Sequence, residues 1–347
     1  MPLPELSERE RRVLEAVIQS YVETAEPAGS RTIARRFGLG VSPATIRNTM
    51  SELEEKGYLY HPHTSAGRVP TDMAYRLYVD SLMGPATLSP KEAERLAEGI
   101  SGGGSAIEAI LRRAAQSLSV VAQELGVALG PRLDVTVLQR LEVVRASEER
   151  LLLVLTLSGG AVRTIFVEVP GQIADSALAE VSLVLNERLA GLTLREIRSS
   201  LASRLRDTGG HPATRELLNV FVQEGDVLFD LPIAPSNEDL VLGQASILAE
   251  QPEFSTGESM RRLLALTDTR EHLAEILRRR STEPGISITI GAENSDPRLD
   301  RLTVVTAAYR TGALSGVIGV IGPTRMPYDK VVALVRHTSM LVSDLLD

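Results

Sequence analysis

The chain has 347 residues, 43% hydrophobic and 24% charged, the composition of a globular protein long enough for two or three domains. Its net charge of −8 speaks against nucleic acid as a partner, and its lack of cysteine excludes disulfides, thiolate metal sites and a cysteine nucleophile. The first residues lack the basic start and apolar core of a signal peptide, and no apolar run approaches the ~18 residues of a membrane span, so the chain reads as cytoplasmic.

Residues 1–84 are dense in helix signals. Ser7-x-x-Glu10 is a capping box, and Val13, Leu14, Val17, Ile18, Tyr21 and Val22 follow it at helical spacing. Glu26-Pro27-Ala28-Gly29 ends that helix, and a second runs from about Ser30 to Phe37, where Gly38 stops it. Ser42-Pro43 opens a third with a cap residue and a proline at the first helical position. Ile46, Met50 and Leu53 form its inner side, and Gly57 ends it. Two short extended pieces, at 58–60 and 68–70, flank a polar loop, and a last amphipathic helix covers 71–83.

Gly84-Pro85 begins a linker, 85–105, with a short charged helix at 90–99 and a glycine-serine stretch at 101–105. A longer helix follows at 106–128, then extended segments at 135–144, 151–157 and 161–169 and a helix at 174–189. Residues 193–283 turn helical and charge-rich. Extended segments return at 285–291, 302–309 and 314–321, and a helix over 327–346 closes the chain. A strand set interrupted by a helical stretch predicts a multidomain α+β chain. One α/β domain, 106–192 with 284–347, is expected to carry an inserted helical domain at 193–283.

Two helices joined by a tight glycine-containing turn, the second polar on its outer side, describe a helix-turn-helix, whose second helix enters the major groove of DNA. The outer side of the third helix shows Ser42, Ala44, Thr45, Arg47, Asn48 and Ser51. An arginine there grips guanine with two bonds, and an asparagine suits adenine. Between Pro27 and Ser51 stand Arg31, Arg35, Arg36 and Arg47 with no acid, and residues 56–71 also lack acids. The negative net charge is therefore segregated away from one basic side. The loop rich in Gly, Pro, Ser, His and Arg fits a wing along the sugar–phosphate backbone, with His63, Thr64, Ser65 and Arg68 as its contacts.

The runs Gly40–Met50, Glu52–Leu59 and Pro62-His63-Thr64-Ser65-Ala66-Gly67-Arg68-Val69-Pro70-Thr71 resemble the HrcA family of bacterial heat-inducible transcription repressors. The resemblance continues at Tyr75–Asp80 and Gly316–Tyr328, and its wing run is the most specific part. It implies a winged helix-turn-helix, a GAF-like domain and an inserted dimerising domain. It also implies a homodimer on an inverted-repeat operator called CIRCE, repressing chaperone operons until heat stress, with the chaperonin GroEL as modulator. Carried over, Ser42, Thr45, Arg47 and Asn48 are the recognition positions, and His63, Thr64, Ser65 and Arg68 lie in the wing. The GAF-like part leaves open a ligand-sensing regulator, although no pocket can be located from sequence.

Other motifs are weaker. His61-x-His63 lacks a third ligand type nearby, and Gly312, Gly316, Gly319 and Gly322 do not have nucleotide-loop spacing. Arg278-Arg279-Arg280 reads as a solvated helix end, where cations face the helix dipole. The five histidines fall in no nucleophile or general-base motif, so neither an enzyme, a metal nor a cofactor is expected.

Overall fold

The computed structural model describes residues 5–63, 66–102, 107–131, 136–158, 162–169, 171, 173–206, 212–223, 240–268, 270–281, 283, 285–312 and 314–346. The chain divides into two compact units, the first Met1–Leu129 with Val241–Tyr309 and Val317–Leu345. The second is Gly130–Leu240 with Arg310–Gly316 and the last two residues. No helix among the described residues is long and apolar enough to cross a membrane.

The first unit begins with helix α1, Glu8–Thr24, and the capping box forms as its residues require: Ser7 N–H donates to Glu10 Oε2 at 2.8 Å and Glu10 N–H to Ser7 Oγ at 3.3 Å. Helix α2, Ser30–Phe37, stops at Gly38 in the left-handed region, φ 55°. Helix α3, Pro43–Glu55, is capped by Ser42, whose hydroxyl accepts from Thr45 N–H. The winged part is β1, Leu59–Tyr60, paired antiparallel with β2, Val69–Pro70. Leu14, Ile18, Ile33, Ile46, Leu53, Tyr58 and Leu59 are fully buried and form one core beneath these elements. Helix α4, Asp72–Leu77, runs on into a wider turn at Tyr78–Leu82.

Two details decide how firmly this part holds. The wing strand is pinned to the α1–α2 turn by a two-bond bridge, Ala28 N–H to Arg68 O at 2.8 Å and Arg68 N–H to Ala28 O at 2.9 Å. A Cβ on Gly67 would sit 2.4 Å from Ala28 O and 2.6 Å from Pro27 O, both backbone atoms that cannot swing away. Gly67→Ala is therefore expected to cost about 1–3 kcal/mol and loosen the wing, read as a lower denaturant midpoint with an unchanged slope.

The second detail is Glu10, buried in α1, whose carboxylate accepts from the Lys56 ammonium at 2.6 Å. Burial alone raises its pKa, but Lys56 and the Ser7 hydrogen bonds outweigh burial and hold it at about 2, below the ordinary 4.5. A depressed folded-state pKa stabilises fully above the unfolded value, and the benefit is lost as pH falls from about 4.5 towards 2. Glu10→Gln should cost on the order of 2 kcal/mol at neutral pH and flatten the acid limb of a melting-temperature profile. An unaltered acid limb would show that the pair contributes nothing.

A five-stranded sheet, all but a few strand-end residues of which belong to the first unit, forms the GAF-like layer. Its strands are β3, Leu125–Leu129, β7, Leu240–Leu242, β8, Ile286–Ile290, β9, Leu302–Thr311, and β10, Leu314–Pro323, in the order β7-β3-β10-β9-β8. β3 and β10 run antiparallel with Gly126 opposite Val320, and β8 and β9 antiparallel with Ile288 opposite Val305. Helix α5, Pro90–Ser101, and helix α6, Ile107–Ala122, lie together, with Arg113 Nε donating to Ile100 O at 2.7 Å. Residues 90–101 are thus a packed helix that buries Leu96 and Ile100, not part of a free linker at 85–105.

In the second unit, β4, Leu138–Arg145, β5, Arg150–Leu157, and β6, Val162–Glu168, form a separate antiparallel sheet. Helices α7, Asp175–Leu189, α8, Leu194–Leu205, and α9, Pro212–Gln223, share one core with it, in which Leu141, Leu153, Leu155, Val181, Ile197 and Phe221 are buried. Asn186 on α7 accepts from Leu141 N–H at 2.8 Å and so ties the edge strand β4 to the helix.

This corrects the expected division. The excursion runs from Gly130 to Leu240 rather than over 193–283, and the first three strands leave the GAF-like sheet with it. The cause is pairing: β5 takes β4 and β6 as its neighbours, and its alternate buried residues need the cover that α7–α9 supply. The later helices, Gly257–Asp268 and Arg270–Arg280, belong to the first unit. The reading of 278–280 as a solvated helix end fails at Arg280, which is only 9% exposed.

Candidate nucleic-acid interface

Helix α3 is two-sided. Ile46, Thr49, Met50 and Leu53 are buried, while Ser42, Ala44, Arg47 and Asn48 are exposed and Thr45 and Ser51 half-buried. The Ser42 and Thr45 hydroxyls are 3.0 Å apart and bonded to each other, and Ser51 Oγ donates to Arg47 O at 3.2 Å. The helix N-terminus thus engages its own short hydroxyls. Arg47 and Asn48 keep free polar ends among the described residues, one turn in from an acid-free first turn. That is the arrangement a base-reading helix needs: a rigid backbone, and two side chains able to form bidentate bonds to base edges.

Beside them lie the phosphate candidates. Arg31 and Arg35 on α2 are exposed and have no ion-pair partner among the described residues. Arg36 is engaged with Glu23 and lies over the Phe37 ring at 5.6 Å. Arg35 is therefore a further candidate for the interface, which the sequence shows only as part of a basic stretch.

The wing differs from expectation at one residue. His63 is exposed, as a backbone contact requires, but Thr64 and Ser65 lie outside the described residues. Arg68 is 13% exposed in its side chain and paired with Glu54 at 2.7 Å, with His61 Nδ1 3.4 Å from the same carboxylate. Arg68 is a brace between wing and α3, not a free phosphate cation. Its sequence neighbours suggested exposure because Glu54, fourteen positions back, is invisible to any local pattern.

The reading domain is also held to the GAF-like layer within the same unit. Arg76 on α4 donates through Nε and Nη2 to the Glu293 carboxylate at 2.7 and 2.5 Å, and through Nη2 to Ile288 O at 2.8 Å. Burial raises the Glu293 pKa, but Arg76 and the Ile290 amide outweigh it and hold the carboxyl below its ordinary value. Asp72 Oδ2 accepts from Ala292 N–H at 3.0 Å. Arg325 donates to Val22 O at 2.7 Å while bonded twice to Glu253, at 2.6 and 3.1 Å. These partners stand more than two hundred residues apart in several cases, and sequence reasoning missed them all.

The chain is similar to known proteins along nearly its whole length. The profile of the HrcA protein C-terminal domain matches residues 108–332, and that of the LexA DNA binding domain matches residues 4–67. The heat-inducible transcription repressor HrcA of Chlorobium phaeobacteroides strain BS1 is 41% identical, with 97% of each chain covered. The repressor of the same name from Geobacter sulfurreducens is 38% identical, with 99% of each covered. Among solved structures, a hypothetical protein shares the fold at TM-score 0.68 and 20% identity, covering 99% of both chains.

Proposed function

The chain belongs to the HrcA family of heat-inducible transcription repressors, and on that premise we propose that it represses as a homodimer seated on an inverted-repeat operator. The observation that carries this reading is the outer side of α3, with Arg47 and Asn48 free beside Arg31 and Arg35 and no acid between residues 27 and 51. Ser42, Ala44, Thr45 and Ser51 frame those two side chains, and His63, Thr64 and Ser65 follow the adjoining strand. On this reading the chain is a DNA-binding repressor rather than an enzyme, and it works on DNA in the cytoplasm.

The operator is the CIRCE inverted repeat of chaperone promoters, and occupancy blocks polymerase. A two-fold dimer presents two identical helices, so its site is pseudo-palindromic. The outer face of the β4–β5–β6 sheet supports a dimer: Val144, Val162 and Phe166 are 46%, 62% and 64% exposed, and Leu152 lies between Val144 and Phe166. Charged pairs rim this apolar centre, Arg140–Glu142 at 2.8 Å and Arg150–Glu168 at 3.1 Å, in the manner of an interface. Heat lowers the fraction of folded dimer, and the chaperonin GroEL restores it.

A mobility-shift titration on the inverted repeat, a single half-site and a scrambled duplex tests the reading. Tight, salt-sensitive binding to the full repeat alone is expected. Equal affinity for the scrambled duplex sinks it. Adding GroEL to heat-treated repressor should raise the active fraction, and no rise removes the chaperonin from the scheme.

A further inference from the structure

Arg280 ends the helix Arg270–Arg280 and faces inward, on the same side as Leu273, Ala274 and Leu277. Its Nη1 donates to Val304 O at 3.2 Å and to Thr306 Oγ1 at 3.4 Å, and its Nη2 donates to Thr289 Oγ1 at 2.5 Å. All three acceptors are neutral oxygens of β8 and β9. No carboxylate lies within ion-pair distance of it among the described residues. Three nearby acids are otherwise engaged: Glu275 with Arg279 at 2.9 Å, Asp296 with Arg298 and His272, each at 3.0 Å, and Glu293 with Arg76. Burial pulls the Arg280 pKa below its ordinary value, and Glu283 offsets that only in part.

A buried cation without a counter-ion is costly, and it becomes favourable only when an anion completes it. The donors still unused are the Nε hydrogen and one Nη2 hydrogen. Nε and Nη2 form the edge on which a guanidinium grips a carboxylate or phosphate with two parallel bonds. Arg280 lines a cavity of about 610 Å³ together with Arg298 and Asn294, whose wall also carries the carboxylates of Glu275, Glu283, Glu293 and Asp296, and its size suits a small ligand.

We propose that this cavity is a binding site for a small anionic metabolite bearing a carboxylate or phosphate, held by Arg280. Thr289, which accepts from Arg280, donates onward to Asn294 Oδ1 at 2.6 Å, and Arg76 of α4 holds the adjacent Ile288 carbonyl. An occupant therefore acts on the strand and loop that fasten the DNA-reading domain. Binding itself is independent of the repressor reading.

The test is thermal unfolding of the full chain, wild type against Arg280→Met and Arg280→Lys, in inorganic phosphate and in succinate at matched ionic strength. One of the two anions should raise the wild-type midpoint saturably, by about 3–5 °C at tenfold above half-saturation. The anion that does so identifies the chemistry. Arg280→Met should lose the rise while melting no lower than wild type in chloride, because an apolar side chain replaces an unpaired charge. No saturable rise with either anion, or an equal rise in Arg280→Met, overturns the proposal. If Arg280→Met does not fold, Arg280→Lys decides, since it keeps the charge without the fork. A rise equal to wild type in that variant also overturns it.

Discussion

Arg47→Ala is expected to weaken binding to the inverted repeat from roughly 30-fold upward, because each half-site loses about 1–3 kcal/mol and the dimer carries the change twice. The side chain is exposed and has no ion-pair partner among the described residues, so its removal should leave the melting temperature unchanged. The loss is then a binding loss and not a folding loss. Sequence preference should relax as well, since a bidentate base contact discriminates while a phosphate contact does not. Arg35→Ala supplies the contrast. It should weaken the repeat and the scrambled duplex alike and reduce the salt slope by about one per half-site. If Arg47→Ala behaved like Arg35→Ala in both respects, α3 would be lying along the backbone rather than in the groove.

What was legible in the sequence is what local chemistry determines. Ser7-x-x-Glu10, Ser42-Pro43 and Gly38 mark helix ends through bonds made within a few residues, and each appears in the structure where expected. The strands expected at 285–291, 302–309 and 314–321 appear as β8, β9 and β10, each bounded by turn residues. What was not legible is pairing at a distance. The alternation along β5 has the same form whichever sheet receives it, so the pattern could not assign 138–168 to the second unit. Arginine is the residue type where this matters most. Arg68 looked like a phosphate ligand and is a brace to Glu54, whereas Arg76 drew no attention and ties α4 to Glu293. Arg280 carried a readable signal: spaced three residues after Leu277 and seven after Leu273, it shares their stripe. Three consecutive arginines span about 200° of a helix, and with Leu273 and Leu277 setting the inward side the last of the three falls on it.

Phe166→Glu should abolish dimerisation at micromolar concentration while leaving each chain folded. Phe166 is 64% exposed on the side of β6 away from the core of α7–α9, so the unit does not need it for its own packing. Its cross-strand neighbour is Leu152, with Val144 beyond, and such a row is stabilised only when a partner surface removes it from water. Loss of a central aromatic costs about 2 kcal/mol or more, and a two-fold interface loses it twice, so the dimer dissociation constant should rise roughly 10³-fold. Sedimentation equilibrium reads that directly. DNA binding follows from it, because a monomer engages one half-site without the high effective concentration that the second receives in a dimer. The variant should therefore shift a half-site duplex as wild type does and fail on the full repeat at concentrations that saturate wild type. Retention of a wild-type dimer constant would move the interface off this sheet, and half-site binding weaker than that of wild type would mean that the reading domain itself had been disturbed.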